Sequence, residues 1–518
     1  MTTPQQQITR AATTVMAAFV LSNLVGLLRQ ILIAQTFGTS RALDAFTAAQ
    51  RFPDILFNLV AGGALASAFI PAFTGFLTRE DRAGAWRLAN GVMNLVLVVM
   101  AVVAALSAVF ALNIIRLTAG GLAADEQRLA VSLLRTLLLS PVLFGVSGLL
   151  MGILNAHQHF LLPALAPTFY WLGMIVGLLI WVPGMGIHGL AWGAVLGAGL
   201  HLAVQLPGLR GLGGRWQPDF GLNNPAVREV MRLMGPRLIG VAAVQLNFLV
   251  TTALATFLAG GASALDYAWR VFTMPQVVIA QGLAIAALPT FSAMAARGEF
   301  AEMRASLADT LRSILFLSLP ATVGLVLLRE PIIALLFQRQ NFDAHSTDLV
   351  AWALLFYALG LVSHSALEIM VRAFYALQDT RTPVVIGTAA MGLNLLLSFA
   401  FSFVFTQWGW WPHGGLALAL SLSTTLEMLV LGWAMRQRLT GLDIARVWPG
   451  LWRAALASAA MGVALAVWLW WSQNFSVWLI GLVGVAGGGM MFWGVAYALG
   501  SEEARTLPAL LLARLRRK

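Results

Sequence analysis

The chain has 518 residues, of which 59% are hydrophobic and only 10% are charged, whereas about 25% of the residues of a soluble domain are charged. This composition excludes a water-soluble globular protein and indicates an integral membrane protein. The net charge of +11 does not favour nucleic-acid binding, because the basic residues lie mostly in short loops between apolar segments, where they set membrane orientation. The chain contains no cysteine, which excludes disulfides, thiolate nucleophiles and cysteine metal sites.

The apolar segments predict about fourteen transmembrane helices, because each span needs about 20 mostly apolar residues. The first segment, 11–37, is too long for a cleavable signal peptide and is expected to remain as a helix. These segments exceed the length of a strand and do not alternate as in a barrel, so the predicted class is an all-α polytopic membrane protein. The predicted spans are centred near residues 23, 60, 100, 140, 171, 197, 248, 281, 318, 361, 394, 424, 461 and 488.

The arginines predict that both termini are cytoplasmic and that the number of spans is even. Cytoplasmic loops carry the excess of basic residues in inner-membrane proteins, and most loop arginines of this chain fall on the side of the N-terminus. The loops predicted on the opposite side contain only Arg41, Arg116, Arg128, Arg329 and Arg339. Four further arginines are predicted in the membrane or at its edge: Arg29, Arg51, Arg135 and Arg270.

A motif recurs along the chain. "ALDAFTAAQRFP" ends at Pro53 and "ALDYAWRVFTMP" ends at Pro275, 222 residues later. "NAHQHFLLP" and "YALQDTRTP" repeat at an offset of 220, with Gln158 aligned to Gln378, and "HGLA" and "GGLA" repeat at an offset of 226. Three matches in the same order indicate two homologous six-helix lobes, and an even number of spans in each predicts a pseudo-twofold axis along the membrane normal.

The repeat predicts four regions: an N-terminal lobe over 1–208, a cytoplasmic linker over 209–231, a C-terminal lobe over 232–440, and two extra helices with a basic tail over 441–518. Two-lobe architectures are typical of transporters, in which a central site opens alternately to the two sides of the membrane.

Three of the membrane arginines are candidate substrate-binding residues. A charge deep in the bilayer costs about 2.5–3.5 kcal/mol on insertion scales, so it normally faces a cavity or a partner. Arg29 lies well inside the first span; Arg51 aligns with Thr273 in the repeat, and Arg270 aligns with Ala48. A purely structural device would recur in both copies, and a guanidinium binds phosphate oxygens in a bidentate manner. We therefore expect a positively charged lumen for an anionic, phosphate-bearing cargo.

A structural interpretation of two of these arginines also stays open. Asp44 precedes Arg51 by seven residues, and Asp266 precedes Arg270 by four, a spacing that allows contact across one helical turn. In this interpretation the aspartates neutralise the arginines and fix helix ends at the outer interface. Arg29 differs, because its own span contains no acid.

Glu427, Glu368 and Asp266 are candidate coupling or gating groups, since intramembrane acids often carry protons. Glu368 lies four residues before Arg372, in the order that favours an ion pair on a helix. Glu427 has no evident partner and is the better candidate for coupling.

No cofactor or metal is expected. His157 and His159 have no acid or third histidine nearby, so an interfacial loop is the preferred interpretation. The sequence also contains no phosphate-binding loop that ends in Gly-Lys-Ser, so ATP is not expected to drive the protein directly.

With these motifs in place, the chain resembles the MurJ (MviN) lipid II flippase family of bacterial inner membranes over nearly its whole length. The resemblance is carried by "VGLLRQILIAQTFGTSRALDAF", "GGALASAFIPAF", "ALDYAWRVFTMPQVVIAQGLAIAALPTFS", "LLFQRQNFDAHST" and "RAFYALQDTRTPV". It implies a fourteen-span member of the multidrug/oligosaccharidyl-lipid/polysaccharide exporter superfamily. The implied cargo is the undecaprenyl-pyrophosphate-linked peptidoglycan precursor for cell-wall biogenesis, and the implied partners are this lipid and the membrane lipids, with the protein acting as a monomer. The two extra helices would help to form a groove for the lipid tail.

The resemblance also assigns individual residues. Arg29 matches the family's first-helix arginine, Asp44 its acid before the second helix, and Arg270 its eighth-helix arginine. Asn23, Gln30, Phe57, Asn58 and Gly62 stand where relatives carry charged residues. Asp44 and Asn58 are also among the candidate substrate-binding residues, and Arg51 could replace part of the lost charge.

Some relatives carry acids that form a cation site, and Thr251 and Ser398 occupy those places here. Sodium coupling is therefore not expected, and protons or the membrane potential remain as driving forces.

Three other functions compete with flipping. A drug or polysaccharide exporter of the same superfamily would fit the fold, but cation exporters carry acids in the cavity. An intramembrane enzyme acting on polyprenyl phosphates would need clustered carboxylates or a base–nucleophile pair, and the acids here are isolated. A non-transporting membrane scaffold is the third alternative, because several family charges are missing.

Overall fold

The computed structural model describes the backbone of residues 4–60 and 64–506, and the side chains of these residues except 4–17, 60, 64–67, 235–243 and 285–286. All regular elements in this part of the chain are helices. The chain forms two compact units, Met1–Ala262 and Ser263–Lys518.

The helices of the first unit follow each other with short connections up to residue 209. They are α1 Pro4–Phe37, α2 Arg41–Val60, α3 Ala64–Thr78, α4 Arg82–Val109, α5 Ala111–Thr118, α6 Ala124–Leu137, α7 Leu139–Ala156, α8 Leu161–Val176, α9 Val182–Met185, α10 Ile187–Ala203 and α11 Pro225–Ala255. A π-helical segment, Gly177–Trp181, joins α8 to α9, and a 3₁₀ turn, Leu206–Leu209, follows α10.

The second unit has the same kind of architecture. Its helices are α12 Gly261–Gln276, α13 Gly282–Arg297, α14 Phe300–Leu327, α15 Arg329–Phe337, α16 Ala344–Leu359, α17 Leu361–Ala376, α18 Arg381–Gln407, α19 Pro412–Arg438, α20 Ile444–Trp471 and α21 Val477–Ala498, with a π-helical segment, Val277–Gln281, between α12 and α13.

The helical class and the membrane location predicted from the composition are confirmed. Within the described residues, eleven helical segments are long and apolar enough to span a membrane, and a twelfth results if α16 and α17 form one bent span. The two other predicted centres, near 60 and 248, fall in α2–α3 and in α11, parts of which lie outside the described residues. The number fourteen, the two lobes and their boundaries therefore stay predictions.

The turns repeat along the chain in step with the sequence repeat. Residues with left-handed backbone recur at corresponding loops, in the pairs Gly38 and Gly260, Glu80 and Gly298, Gln158 and Gln378, and Gly186 and Gly409. Glutamine rarely adopts this conformation, yet the amides of Gln158 and Gln378 each donate to a carbonyl three residues earlier, at 3.0 Å. The repeated motif around these glutamines is therefore one turn used twice, between α7 and α8 and between α17 and α18.

One span of the second unit is broken. The chain bends by 47° between α16 and α17 at Gly360, and the Ser421 hydroxyl of α19 donates to the Phe356 carbonyl at 2.7 Å. A Cβ atom on Gly360 would lie 2.6 Å from the Ser421 oxygen. Broken helices persist in a membrane only where other groups satisfy the released backbone, and Ser421 does this here. In the first unit the helix ends and restarts at the corresponding position, Leu138, between α6 and α7.

Side chains on one face of α4 donate hydrogen bonds to the backbone of the linker that follows α10. Trp86 Nε1 donates to Leu212 O at 3.2 Å, Asn90 Nδ2 donates to Arg215 O at 3.0 Å, and Asn94 Nδ2 donates to Gln217 O and Asp219 O at 2.7 Å. Trp86, Asn90 and Asn94 are spaced by four residues and thus share one face of α4. The linker therefore lies along α4 in an extended conformation.

The last two helices are fixed to α14 within the second unit. Arg312 on α14 lies 2.7 Å from Glu503, whose side chain is 7% exposed, and Arg446 at the start of α20 forms a two-point contact with Asp309 at 2.6 and 2.8 Å. Phe316, Met461 and Phe492 belong to one apolar cluster. The α20–α21 pair is therefore a firmly attached addition.

Candidate functional site

Arg29 lies on α1 inside the candidate span Ala18–Phe37, and only 2% of its surface is exposed. Its Nη1 donates to the Met174 sulfur at 3.3 Å, and its Nη2 donates to Gln30 Oε1 at 2.8 Å. The guanidinium carbon lies 4.2 Å from the centre of the Trp171 ring. Trp171 and Met174 are three residues apart and share one face of α8. This face of α8 packs against the Arg29 guanidinium.

Arg51 connects α2 to α11. Its Nε donates to Thr252 Oγ1 at 2.9 Å, and the Thr252 hydroxyl in turn donates to Phe248 O at 2.8 Å. The Arg51 side chain is half-buried.

Asp44 is fully buried near the start of α2. Its Oδ2 accepts a hydrogen bond from the Gly260 amide at 2.7 Å, and an acid in the first turn of a helix is also stabilised by the helix dipole. Nearby, Arg41 donates to Thr256 O at 3.0 Å and lies 3.6 Å from Glu126. These contacts fix the start of α2 to the segment that follows α11, which favours a structural role for Asp44.

Three of the positions at which the resemblance implied charged residues in relatives make neutral contacts in this structure. Asn58 Nδ2 donates to Asp54 O of its own helix at 2.9 Å, and Asn23, which is exposed, donates to Phe19 O at 2.8 Å. The Phe57 ring packs against Phe144 with centroids 4.6 Å apart. Gly62 lies outside the described residues.

Arg270 and Asp266 form an ion pair on α12 in the second unit. Arg270 Nε donates to Asp266 Oδ2 at 2.8 Å, and the two side chains are 36% and 20% exposed. The one-turn contact predicted from their spacing is present. Arg270 therefore stays partly accessible despite this pair.

The two candidate acids further along the chain differ in their surroundings. Glu368 lies 3.5 Å from Arg372, one turn away on α17. Glu427 lies near the middle of α19 against α18, where a Cβ atom on Gly387 would be 3.0 Å from Glu427 Oε1. Among the described residues, Glu427 forms no ion pair.

No group of three or more potential metal ligands occurs in the described part of the chain. Thr251 lies half-buried on α11, and Ser398 is fully buried on α18. Neither side chain carries a carboxylate, so these two positions do not offer the ligands of a cation site.

Trp171, Met174 and Thr252 were not predicted as site residues. Their contacts with Arg29 and Arg51 join residues 142 to 201 positions apart, and no sequence spacing encodes such pairs. The three candidate charged residues of α1 and α2, Arg29, Asp44 and Arg51, belong to the first unit, whereas Arg270, Asp266, Glu368 and Glu427 belong to the second. The expected convergence of Arg29 and Arg270 stays a prediction.

Comparison with known proteins identifies the family. The family model described as "Lipid II flippase MurJ" matches residues 33–485. The chain belongs to the MurJ family. The MurJ lipid II flippase of Burkholderia cenocepacia is 31% identical over 440 residues, covering 83% of this chain and 84% of the relative. The probable MurJ flippase of Vibrio cholerae is 29% identical and covers 98% of this chain and 94% of its own length.

Solved structures agree with this assignment at the level of the fold. A MurJ lipid II flippase in an inward closed conformation matches with a TM-score of 0.80 at 24% identity, covering 95% of this chain and 99% of that one. An inward-facing MATE multidrug transporter matches with a TM-score of 0.68 at 16% identity, covering 83% and 98%. As a MurJ family member, the protein is a multi-pass transporter of the bacterial inner membrane and not an enzyme.

Proposed function

We propose that the protein moves lipid II, the undecaprenyl-pyrophosphate-linked peptidoglycan precursor, from the inner to the outer leaflet by alternating access. The observation that carries this proposal is the burial of Arg29 inside a membrane span, in a chain of the MurJ family. The proposal includes cytoplasmic termini, a monomer and no nucleic-acid partner, in line with the distribution of arginines in the loops.

In this proposal Arg29, Arg51 and Arg270 bind the diphosphate of the lipid. Each guanidinium stays protonated and presents a planar set of donors that matches two phosphate oxygens. In a water-poor site the attraction between such a group and a diphosphate is several-fold stronger than in water. Arg29 lies inside a membrane span and over the Trp171 ring, where its positive charge would compensate part of the charge of an anion that leaves water.

Arg270 has two alternative partners in this proposal, Asp266 and the diphosphate. In the empty protein Asp266 compensates the Arg270 charge at 2.8 Å, and on binding the diphosphate competes with Asp266 for the same donors. Asp266 therefore acts as a gate that restores the ion pair when the head group leaves. Asp44 and Asn58 support the site from α2, through their contacts with Gly260 and Asp54.

Glu427 is proposed as the coupling group. It is an intramembrane carboxyl without an ion-pair partner among the described residues, whereas Glu368 is already close to Arg372. Proton uptake at Glu427 from one side of the membrane and release to the other would couple the resetting of the transporter to the proton gradient, in place of a sodium gradient.

The test is replacement of Arg29 and Arg270 by alanine in a bacterium depleted of its own lipid II flippase. We expect the double variant to insert normally but to fail to rescue cell-wall synthesis or to expose lipid II on the outer leaflet. The matched control is the double variant Arg135→Ala, Arg329→Ala, which removes one arginine from each unit outside the proposed site and should rescue growth.

Full rescue by the Arg29→Ala, Arg270→Ala variant would refute the role of these arginines. Failure of the wild-type chain to expose lipid II, despite normal insertion, would favour the exporter or scaffold alternatives.

A further inference from the structure

Trp171 is the closest aromatic neighbour of the proposed diphosphate-binding residue Arg29. The guanidinium carbon lies 4.2 Å from the ring centre, within the range of a cation–π contact, which is stronger when the charge is removed from water. Arg29 is 2% exposed and Trp171 is half-buried, so the guanidinium is largely removed from water. The ring therefore compensates part of the cost of keeping this charge in the membrane.

The local sequence of α1 is adapted to this ring. Gly26 precedes Arg29 by three residues and shares its helix face, and a Cβ atom on Gly26 would lie 3.3 Å from Trp171 Nε1. A larger side chain would push the indole away from α1. Because Gly26 has no side chain, the Trp171 ring can approach α1 and contact the Arg29 guanidinium.

The ring itself is fixed by a row of aromatic side chains across the first unit. Trp171 contacts Tyr170 with centroids 4.7 Å apart, Tyr170 contacts Phe144 at 5.2 Å, and Phe144 contacts Phe57 at 4.6 Å. Such aromatic pairs stabilise a fold beyond the burial of their area. Phe57 on α2 stands at the far end of this row.

We propose that Trp171 is a positioning residue that holds the Arg29 guanidinium in the orientation needed to bind a diphosphate. A planar cation on a ring face has its in-plane N–H donors directed sideways, where they can meet two phosphate oxygens. Met174 and Gln30 each accept one hydrogen bond from the same group, which limits its rotation. This inference rests on the proposed role of Arg29.

The inference is tested by a double-mutant cycle in nanodiscs with undecaprenyl diphosphate as the probe. Trp171→Leu is expected to weaken binding of this lipid about fivefold to tenfold, in keeping with the loss of a buried cation–π contact. Trp171→Phe should recover most of the affinity, because a smaller ring still offers a face. In the Arg29→Ala background, Trp171→Leu should have no further effect, since it acts through Arg29.

A purely structural role of Trp171 would lower affinity equally in both backgrounds, and this result would overturn the inference. Wild-type affinity of Trp171→Leu would do the same. If Arg29→Ala itself binds the lipid as tightly as the wild type, the proposed function of Arg29 fails first, and the two failures are thus distinct. Trp192→Leu, which removes an exposed tryptophan of α10, is the matched control, and the thermal unfolding midpoint of each variant reports the fold.

Discussion

The two units hold their candidate arginines in different ways. Arg29 in the first unit is almost fully buried and lies on a ring face, beside an amide and a thioether. Arg270 in the second unit is about one-third exposed and forms an ion pair with Asp266 one turn away. A carboxylate cancels a positive charge, whereas a ring face only lowers the cost of burying it. Two arginines proposed for the same ligand are thus held by different contacts, one by a ring face with an amide and a thioether, the other by a carboxylate.

The largest expected effect comes from replacing each arginine by lysine. Arg29→Lys should lower lipid II transport by roughly tenfold or more, because an ammonium does not stack on Trp171 or offer a planar fork. Arg270→Lys should lower it by about threefold or less, because a point charge can still pair with Asp266. The measurement is the rate of lipid II exposure in vesicles that contain equal amounts of each variant. Equal losses in both variants would contradict the distinction between the two sites.

The next effect concerns the acids of the second unit. Glu427→Gln is expected to slow transport driven by an imposed proton gradient by about tenfold. The glutamine amide is neutral and can neither take up nor release a proton. Glu368→Gln should change the rate by less than about twofold, since it removes only a partly exposed ion pair with Arg372. Transport by the Glu427→Gln variant that still follows the proton gradient would exclude Glu427 as the coupling group.

The smallest expected effect concerns the turn that occurs in both units, between α7 and α8 and between α17 and α18. In the second unit Asp379 accepts hydrogen bonds from the Thr382 amide at 3.0 Å, the Thr382 hydroxyl at 2.7 Å and Arg438 at 2.8 Å; the first unit has His159 at this place. The bonds from Thr382, and then the Arg438 charge, lower the pKa of Asp379 below its usual value of 3.8. A lowered pKa means that the stabilisation is present above pH 3.8 and is lost as the pH falls through the lower value of the folded state.

Asp379→Asn should therefore lower the free energy of unfolding by about 1 kcal/mol at pH 7. The difference from the wild type should shrink as the pH falls below about 4, where the wild-type carboxyl becomes protonated. Thermal unfolding in detergent between pH 3 and pH 7 measures this difference. If the difference in stability between the wild type and Asp379→Asn is unchanged at pH 3, the carboxylate charge is not its cause. His159→Asn, at the corresponding position of the first unit, is the control without a carboxylate.

Several features of the fold and site followed from local sequence. The apolar segments predicted the helices, the pair Gln158 and Gln378 marked one turn used twice, and the spacing of Asp266 and Arg270 predicted their contact. Each of these depends on residues within one or two helical turns, or on comparison of one stretch of sequence with another. The spans predicted near 60 and 248 stay predictions, because residues 61–63 and the side chains of 235–243 lie outside the described part of the chain.

The sequence by itself determined the membrane class, the twofold repetition, the family and the choice of arginines, since hydropathy, motif spacing and charge can be read along the chain. Only the tertiary structure decided how each arginine is held, because Trp171 beneath Arg29, Thr252 beside Arg51 and Gly260 on Asp44 are brought together by helix packing across 142 to 216 residues of chain. Helix periodicity specifies which face a side chain occupies, and packing of that face against a distant helix selects its partner.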